Sequence, residues 1–158
     1  MAFSLVSTAE RPDLAPVSAR WRWEAFFRAK GMALEVIEAR ARDAAESRGA
    51  MPRTFVLLEN GVPLGTASLI ACDLQERPEL TPWLAGVVVA PEARGRGLAA
   101  RLVAGVEGAA HRAGFQELWL YTHTAERVYA RAGWRRIEEF IHEGKTCALM
   151  RRGLAQSS

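Results

Sequence analysis

The chain has 158 residues, 49% of them hydrophobic and 25% charged, which suits one globular domain with a sizeable core and excludes a disordered or fibrous chain. Its formal net charge of +3, from 21 Lys and Arg against 18 Asp and Glu, suits an anionic ligand, but without a long Lys/Arg run it does not argue for nucleic acid. The two cysteines, Cys72 and Cys147, lack Cys-x-x-Cys spacing, so neither a disulfide framework nor a metal site is expected, and both are read as buried reduced thiols.

The predicted elements follow in order. Residues 3–6 make a short strand. Arg11-Pro12-Asp13 opens a helix carrying Leu14, Val17, Trp21, Trp23, Phe26 and Phe27, and Gly31 ends it. A second helix spans 34–47, with Val36, Ile37 and alanines on its apolar side. A strand over 54–59 meets its partner, 63–74, through Asn60-Gly61, a pair that tolerates the φ > 0 of a tight hairpin. Residues 75–82 form a polar loop. Trp83 to Val89 is apolar on successive residues, as in a strand buried on both faces. A helix from Gly97 to Gly114 places Leu98, Leu102, Val103, Val106, Ala110 and Ala113 at helical spacing. A strand over 117–122, a short helix over 125–132 stopped by Gly133, and strands over 135–140 and 145–151 complete the chain. No export leader is evident and no apolar run reaches the roughly 18 residues of a spanning helix, so no membrane partner is expected and a cytoplasmic location is. The order describes a single mixed α/β domain over 1–158.

Arg94-Gly95-Arg96-Gly97 joins the strand Trp83–Val89 to a helix. The first N–H groups of a helix have no intrahelical partner, and the helix dipole adds positive charge there. Glycines let a phosphate approach the backbone, and arginines add charge. Gly95-Arg96-Gly97-Leu98-Ala99-Ala100 also fits a dinucleotide fingerprint. That motif should follow its strand at once and meet an acidic residue at the end of the next strand. Here a loop with Pro91 intervenes, and Tyr121-Thr122 end the next strand.

Arg94-Gly95-Arg96-Gly97-Leu98-Ala99, preceded by Val89-Ala90-Pro91-Glu92, resembles the Arg/Gln-x-x-Gly-x-Gly/Ala signature of the GNAT superfamily of N-acetyltransferases. Ala125, Tyr129, Gly133 and Trp134 resemble its second motif. The resemblance implies a mainly antiparallel sheet flanked by helices, with a central strand pair that splays. It implies acceptor-side helices over about 12–47 and an acetyl-CoA-binding core over about 54–151. It places pantetheine along Val87, Val88 and Val89, and pyrophosphate on Arg94, Gly95, Arg96, Gly97, Leu98, Ala99 and Ala100. Thr122, where many members have Asn, is expected beside pantetheine, and Tyr129 is expected to protonate the CoA thiolate.

The function expected is acetyl transfer from acetyl-CoA, with no metal, to a primary amine of a small molecule, by direct attack on the thioester. A homodimer is allowed. A protein or peptide acetyltransferase and a non-catalytic acyl-CoA sensor are the alternatives. The strand from Leu84 to Val89 carries no carboxylate, so the base that deprotonates the amine is unassigned: a water chain, or a carboxylate elsewhere such as Asp73, Glu76 or Glu79, with an acceptor of lower pKa as the alternative. With Glu24, Asp73, Glu76 and Glu79 are candidate attractors of a cationic amine. Trp21, Trp23, Phe26, Phe27 and Trp83 are candidate acceptor-pocket aromatics, with core packing the competing reading. His123 is read as structural; His111 and His142 are read as solvated.

Overall fold

The structure, a computed structural model, describes residues 2–154. One sheet holds seven strands: β1 (Phe3–Ser7), β2 (Arg53–Glu59), β3 (Val62–Ile70), β4 (Trp83–Val89), β5 (Glu117–Thr122), β6 (Arg135–His142) and β7 (Lys145–Gly153), in the order β1-β2-β3-β4-β5-β7-β6. Every neighbouring pair is antiparallel except β4–β5, which is parallel and pairs only at Trp83↔Trp119. The hairpin between β2 and β3 turns at Asn60 and Gly61, with φ of 50° and 82°, the positive values expected of that pair.

α1 (Ala15–Arg22) follows a 3-10 turn over Pro12–Leu14. The chain then passes through a π turn, Trp23–Phe27, and a 3-10 turn, Arg28–Lys30, before Gly31 stops it at φ 79°. The expected single helix is thus four helical segments. A π turn rotates the side chains after it relative to an α-helix. Trp23 and Phe27 pack with Ala15, Ala19, Ile37 and Ala41, while Phe26 stays 40% exposed. The Trp23 indole N–H donates to the Met32 carbonyl at 2.7 Å.

α2 (Leu34–Glu46) buries Ile37, Ala41 and Ala44. Val36, expected on that side, is 43% exposed, because it lies one residue, about 100°, off the stripe. α3 (Leu98–Arg112) buries Leu98, Leu102, Val103, Val106 and Ala110, as expected, and ends before the exposed Ala113. It covers one face of the sheet, against Phe55, Leu57, Leu69, Leu84, Leu118, Leu120 and Met150. The other face holds Val56 and Leu58 with Leu14 near α1, and, farther along, Trp83, Trp119 and Leu149 with Leu74. α4 (Glu126–Arg131) is the short helix before β6.

β3 ends at Ile70 rather than at 74, and the following segment is irregular. Cys72 is therefore exposed, not buried; its thiol donates to the Leu74 carbonyl at 3.4 Å. Cys147, on β7, is buried as expected. No helix among the described residues is long and apolar enough to cross a membrane.

Candidate active site

The cleft starts where β4 stops pairing with β5. On its other side β4 is locked to β3, with Ala85 opposite Ser68 and Val88 opposite Thr66. Gly86 and Val87 together thus oppose Ala67 alone, a β-bulge, and Gly86 takes φ 64°, which a glycine adopts freely. The Ala90 N–H donates to the Leu64 carbonyl at 2.8 Å. Backbone groups alternate direction along an antiparallel pair, so the N–H and C=O of Val89 point away from β3, into the cleft. Val88 turns its backbone back toward β3. Val87 to Val89 lie past the last rung shared with β5, with Val87 and Val89 half-buried and Val88 buried.

β4 leads through a 3-10 turn, Pro91–Ala93, into the glycine-arginine turn. Gly95 and Gly97 stand at φ 81° and 73°, and nothing lies within 4 Å of where a Cβ would project from either. The turn is therefore open to a bulky anion. Gly97 caps α3 without a side-chain hydrogen bond, leaving the first N–H groups of the helix for such a ligand. Leu98 is buried and anchors the helix, while Ala100 faces out. The two arginines differ. Arg94 is exposed, its Nε donating to the Val89 carbonyl at 3.4 Å. Arg96 is held by Glu59 at the β2–β3 hairpin, its Nη2 at 2.9 and 3.1 Å from the carboxylate oxygens.

Across the cleft, Thr122 ends β5 and its hydroxyl accepts the Ala125 N–H at 3.0 Å, shaping the entry to α4. The half-buried Tyr129 ring, on α4, meets the Trp134 ring edge-on at a centroid distance of 6.0 Å. Burial raises its pKa, so the phenol keeps its proton as pH rises. His123 is exposed and pairs with the Thr146 carbonyl at 2.9 Å, the structural role expected of it.

On the sheet face away from α3, Tyr121 meets Trp83, Phe140 and His142 at centroid distances of 6.3, 5.9 and 5.2 Å. Trp83 is 0% exposed and belongs to the core, and Trp21 likewise packs against core residues. Tyr121, Phe140 and His142 were not among the residues expected to line an acceptor pocket. The alternation Trp119/Tyr121 on β5 and Phe140/His142 on β6 was the available signal. His142, expected in solvent, lies against these rings, and His111, expected there too, has a buried Nε2 with no hydrogen-bond partner.

Of the four candidate carboxylates, Glu24 and Glu79 are tied in exposed ion pairs with Arg20 and Arg77. Glu76 reaches His142 at only 4.0 Å. Asp73, in the β3–β4 loop, is half-buried; burial pushes its carboxyl to about 7, against the opposing pull of Lys30. The Tyr121 phenol is raised first by burial and then by the Asp73 charge. Lys30, after α1, bridges to Glu143 in the β6–β7 turn at 2.6 Å.

Residues 18–134 match the family model described as Acetyltransferase (GNAT) family. No curated protein matches. Among solved structures, an N-acetyltransferase from Staphylococcus aureus Mu50 superposes with TM-score 0.75 and 17% identity, covering 98% of this chain and 100% of that one. YncA from Salmonella typhimurium, solved with its cofactor acetyl-CoA, gives TM-score 0.69 and 16% identity over 100% and 96% of the two chains. A chimera of spermidine N-acetyltransferase SpeG from Vibrio cholerae and hSSAT gives 0.72 and 17% over 98% and 96%. With its splayed β4–β5 pair, its open glycine-arginine turn and the family match across both motifs, the chain belongs to the GNAT family of acetyltransferases.

Proposed function

We propose that the protein is an acetyl-CoA-dependent N-acetyltransferase that acetylates the primary amine of a small molecule. One observation carries this reading: the β4–β5 ladder ends at Trp83↔Trp119, so the Val89 backbone, turned away from β3, has no strand partner, and β4 leads within a few residues to the open Gly95–Gly97 turn and the start of α3. An amide-bearing arm ending in a pyrophosphate matches that run of donors. The edge from Val87 to Val89 takes the pantetheine and acetyl carbonyls, and the Val89 N–H stabilises the oxyanion that forms as the amine attacks. The N–H groups from Gly95 to Ala100 take the pyrophosphate, with Arg94 beside them. Thr122 lines the pantetheine wall.

An amine with pKa near 10 is protonated at neutral pH and must lose its proton before it attacks. Asp73, titrating at about 7, is the carboxyl suited to accept it. The amine nitrogen bonds to the acetyl carbon and the carbon–sulfur bond breaks. Tyr129 gives its proton to the departing thiolate and regains one from solvent. The ring cluster of Tyr121, Phe140 and His142, with the Lys30–Glu143 bridge beside it, favours a small acceptor over a protein lysine, which needs an open groove. The cytoplasm, where acetyl-CoA is available, is the location this reading implies.

Calorimetric titration with acetyl-CoA, with NAD and ATP as controls, tests the reading. Acetyl-CoA alone is expected to bind, and Gly97→Glu, which puts bulk and negative charge in the turn, is expected to abolish binding. Unchanged affinity in Gly97→Glu would remove the turn from the site. Binding without thiol release across an amine panel would leave an acyl-CoA sensor instead.

A further inference from the structure

Arg22, the last residue of α1, is held over the β4 bulge. The Ser18 hydroxyl donates to Thr66 Oγ1 at 2.7 Å, since the Thr66 hydroxyl spends its own proton on the Phe55 carbonyl at 2.8 Å. That buried contact fixes α1 on the sheet and sets Arg22, one turn on, against Gly86. The Arg22 Cδ lies 3.0 Å from where a Gly86 Cβ would stand, so a side chain at Gly86, already disfavoured by its φ of 64°, would crowd the arginine.

The charge so placed has no counterpart. Arg22 Nη2 is buried and makes no hydrogen bond, and its Nε reaches only the Ser18 carbonyl at 3.4 Å. Among the described residues neither Arg22 nor Arg40 forms an ion pair. Burial, and then the Arg40 charge, work against the charged form of Arg22. A guanidinium nevertheless stays protonated. A desolvated cation without an anion is costly, and Gly86, against which Arg22 stands, adjoins the Val87–Val89 edge that takes the acetyl group in the reading above.

Resting on that reading, we infer that the acceptor is a free amino acid, whose carboxylate pairs with Arg22 while its amine faces the thioester. One guanidinium fork matches one carboxylate. Arg22 is partly exposed as a residue, and a carboxylate that pairs with it displaces the cover over Nη2.

The test is thiol release with purified protein, acetyl-CoA, the twenty common L-amino acids and the amines obtained by decarboxylating them. At least one amino acid is expected to exceed its decarboxylated partner in kcat/KM by tenfold or more. Arg22→Gln is expected to collapse that preference at least tenfold, mainly through KM, and Arg22→Lys to restore part of it. Acetyl-CoA affinity of Arg22→Gln, measured by calorimetry, is expected to stay within about twofold, which excludes misfolding. A wild-type enzyme that prefers decarboxylated amines, or an Arg22→Gln variant that loses both classes equally, would overturn the inference. So would an absence of turnover with every amino acid. In each case the calorimetry separates the outcomes: intact acetyl-CoA binding leaves the acetyltransferase reading standing, and lost binding removes both.

Discussion

Tyr129 carries a sharp division of labour on a small side chain. Its ring packs on Trp134 while its phenol holds a proton more firmly than a free tyrosine does. A thiol has a pKa of about 8.5 against about 10 for a phenol, so the two are close enough to share a proton as CoA leaves. Tyr129→Phe is expected to lower kcat by about 10²-fold or more, within the range usual for a positioned acid. The dissociation constant for acetyl-CoA is expected to change little. Full kcat in the variant, measured by thiol release from pH 6 to 9, would take Tyr129 out of the proton path. Its place was readable in advance because a local motif, Ala125 through Trp134, fixes both helix and stop. Asp73 was a candidate that the sequence did not separate from Glu76 and Glu79, and Arg22 was not among the candidates, since each is set apart by burial against segments distant in sequence.

At the level of elements, periodicity foretold the strands and α3 within a few residues. Where it failed, packing had overridden local pattern. The run of Trp23, Phe26 and Phe27 read as one helix, yet adjacent aromatics cannot share one α-helical stripe, and a π turn redistributes them. The apolar Ala71-Cys72 stretch read as strand, but the hydrogen-bonded ladder stops at Ile70. Gly65, on β3, is the glycine where an added Cβ would come nearest to the backbone of another element. A Cβ there would stand 2.8 Å from the Val88 carbonyl oxygen and 2.9 Å from Leu102 Cδ1. Backbone cannot yield cheaply, so Gly65→Ala is expected to destabilise by about 1–3 kcal/mol, as overpacking does. Urea denaturation would measure it. Gly153→Ala, with nothing within 4 Å of the added atom, serves as the control and should move the midpoint far less.

Across the whole molecule, the buried Asp73 carboxyl links activity to stability. Its folded pKa, about 7, lies above the usual carboxylate value of 3.8. The fold therefore favours the protonated form. The contribution is greatest below about pH 4, falls as pH rises toward 7, and levels off above that, where the folded chain carries a desolvated charge. Asp73→Asn removes that charge. It is expected to be more stable than the parent protein at pH 8, by on the order of 4 kcal/mol, the carboxyl being raised by about three pKa units worth about 1.4 kcal/mol each. The gain should fade by about pH 4. The same variant should lose most of its kcat at pH 7. Thermal unfolding at both pH values, with parallel assays, checks both parts; a variant stabilised equally at pH 4 and pH 8 would contradict the burial argument.

The single rung Trp83↔Trp119 makes the sheet two stiff plates joined by one seam. One plate carries β1 to β4, the other β5, β7 and β6, and α3 packs across both. A molecule that fills the gap with its own amides becomes the missing rung, and the seam then behaves as continuous sheet. Occupancy would thus be written into backbone exchange: amides along the seam, Val89 foremost, would become slow to exchange when the gap is filled and quick again once it empties, while those deep in β2 and β3 would keep a steady pace throughout.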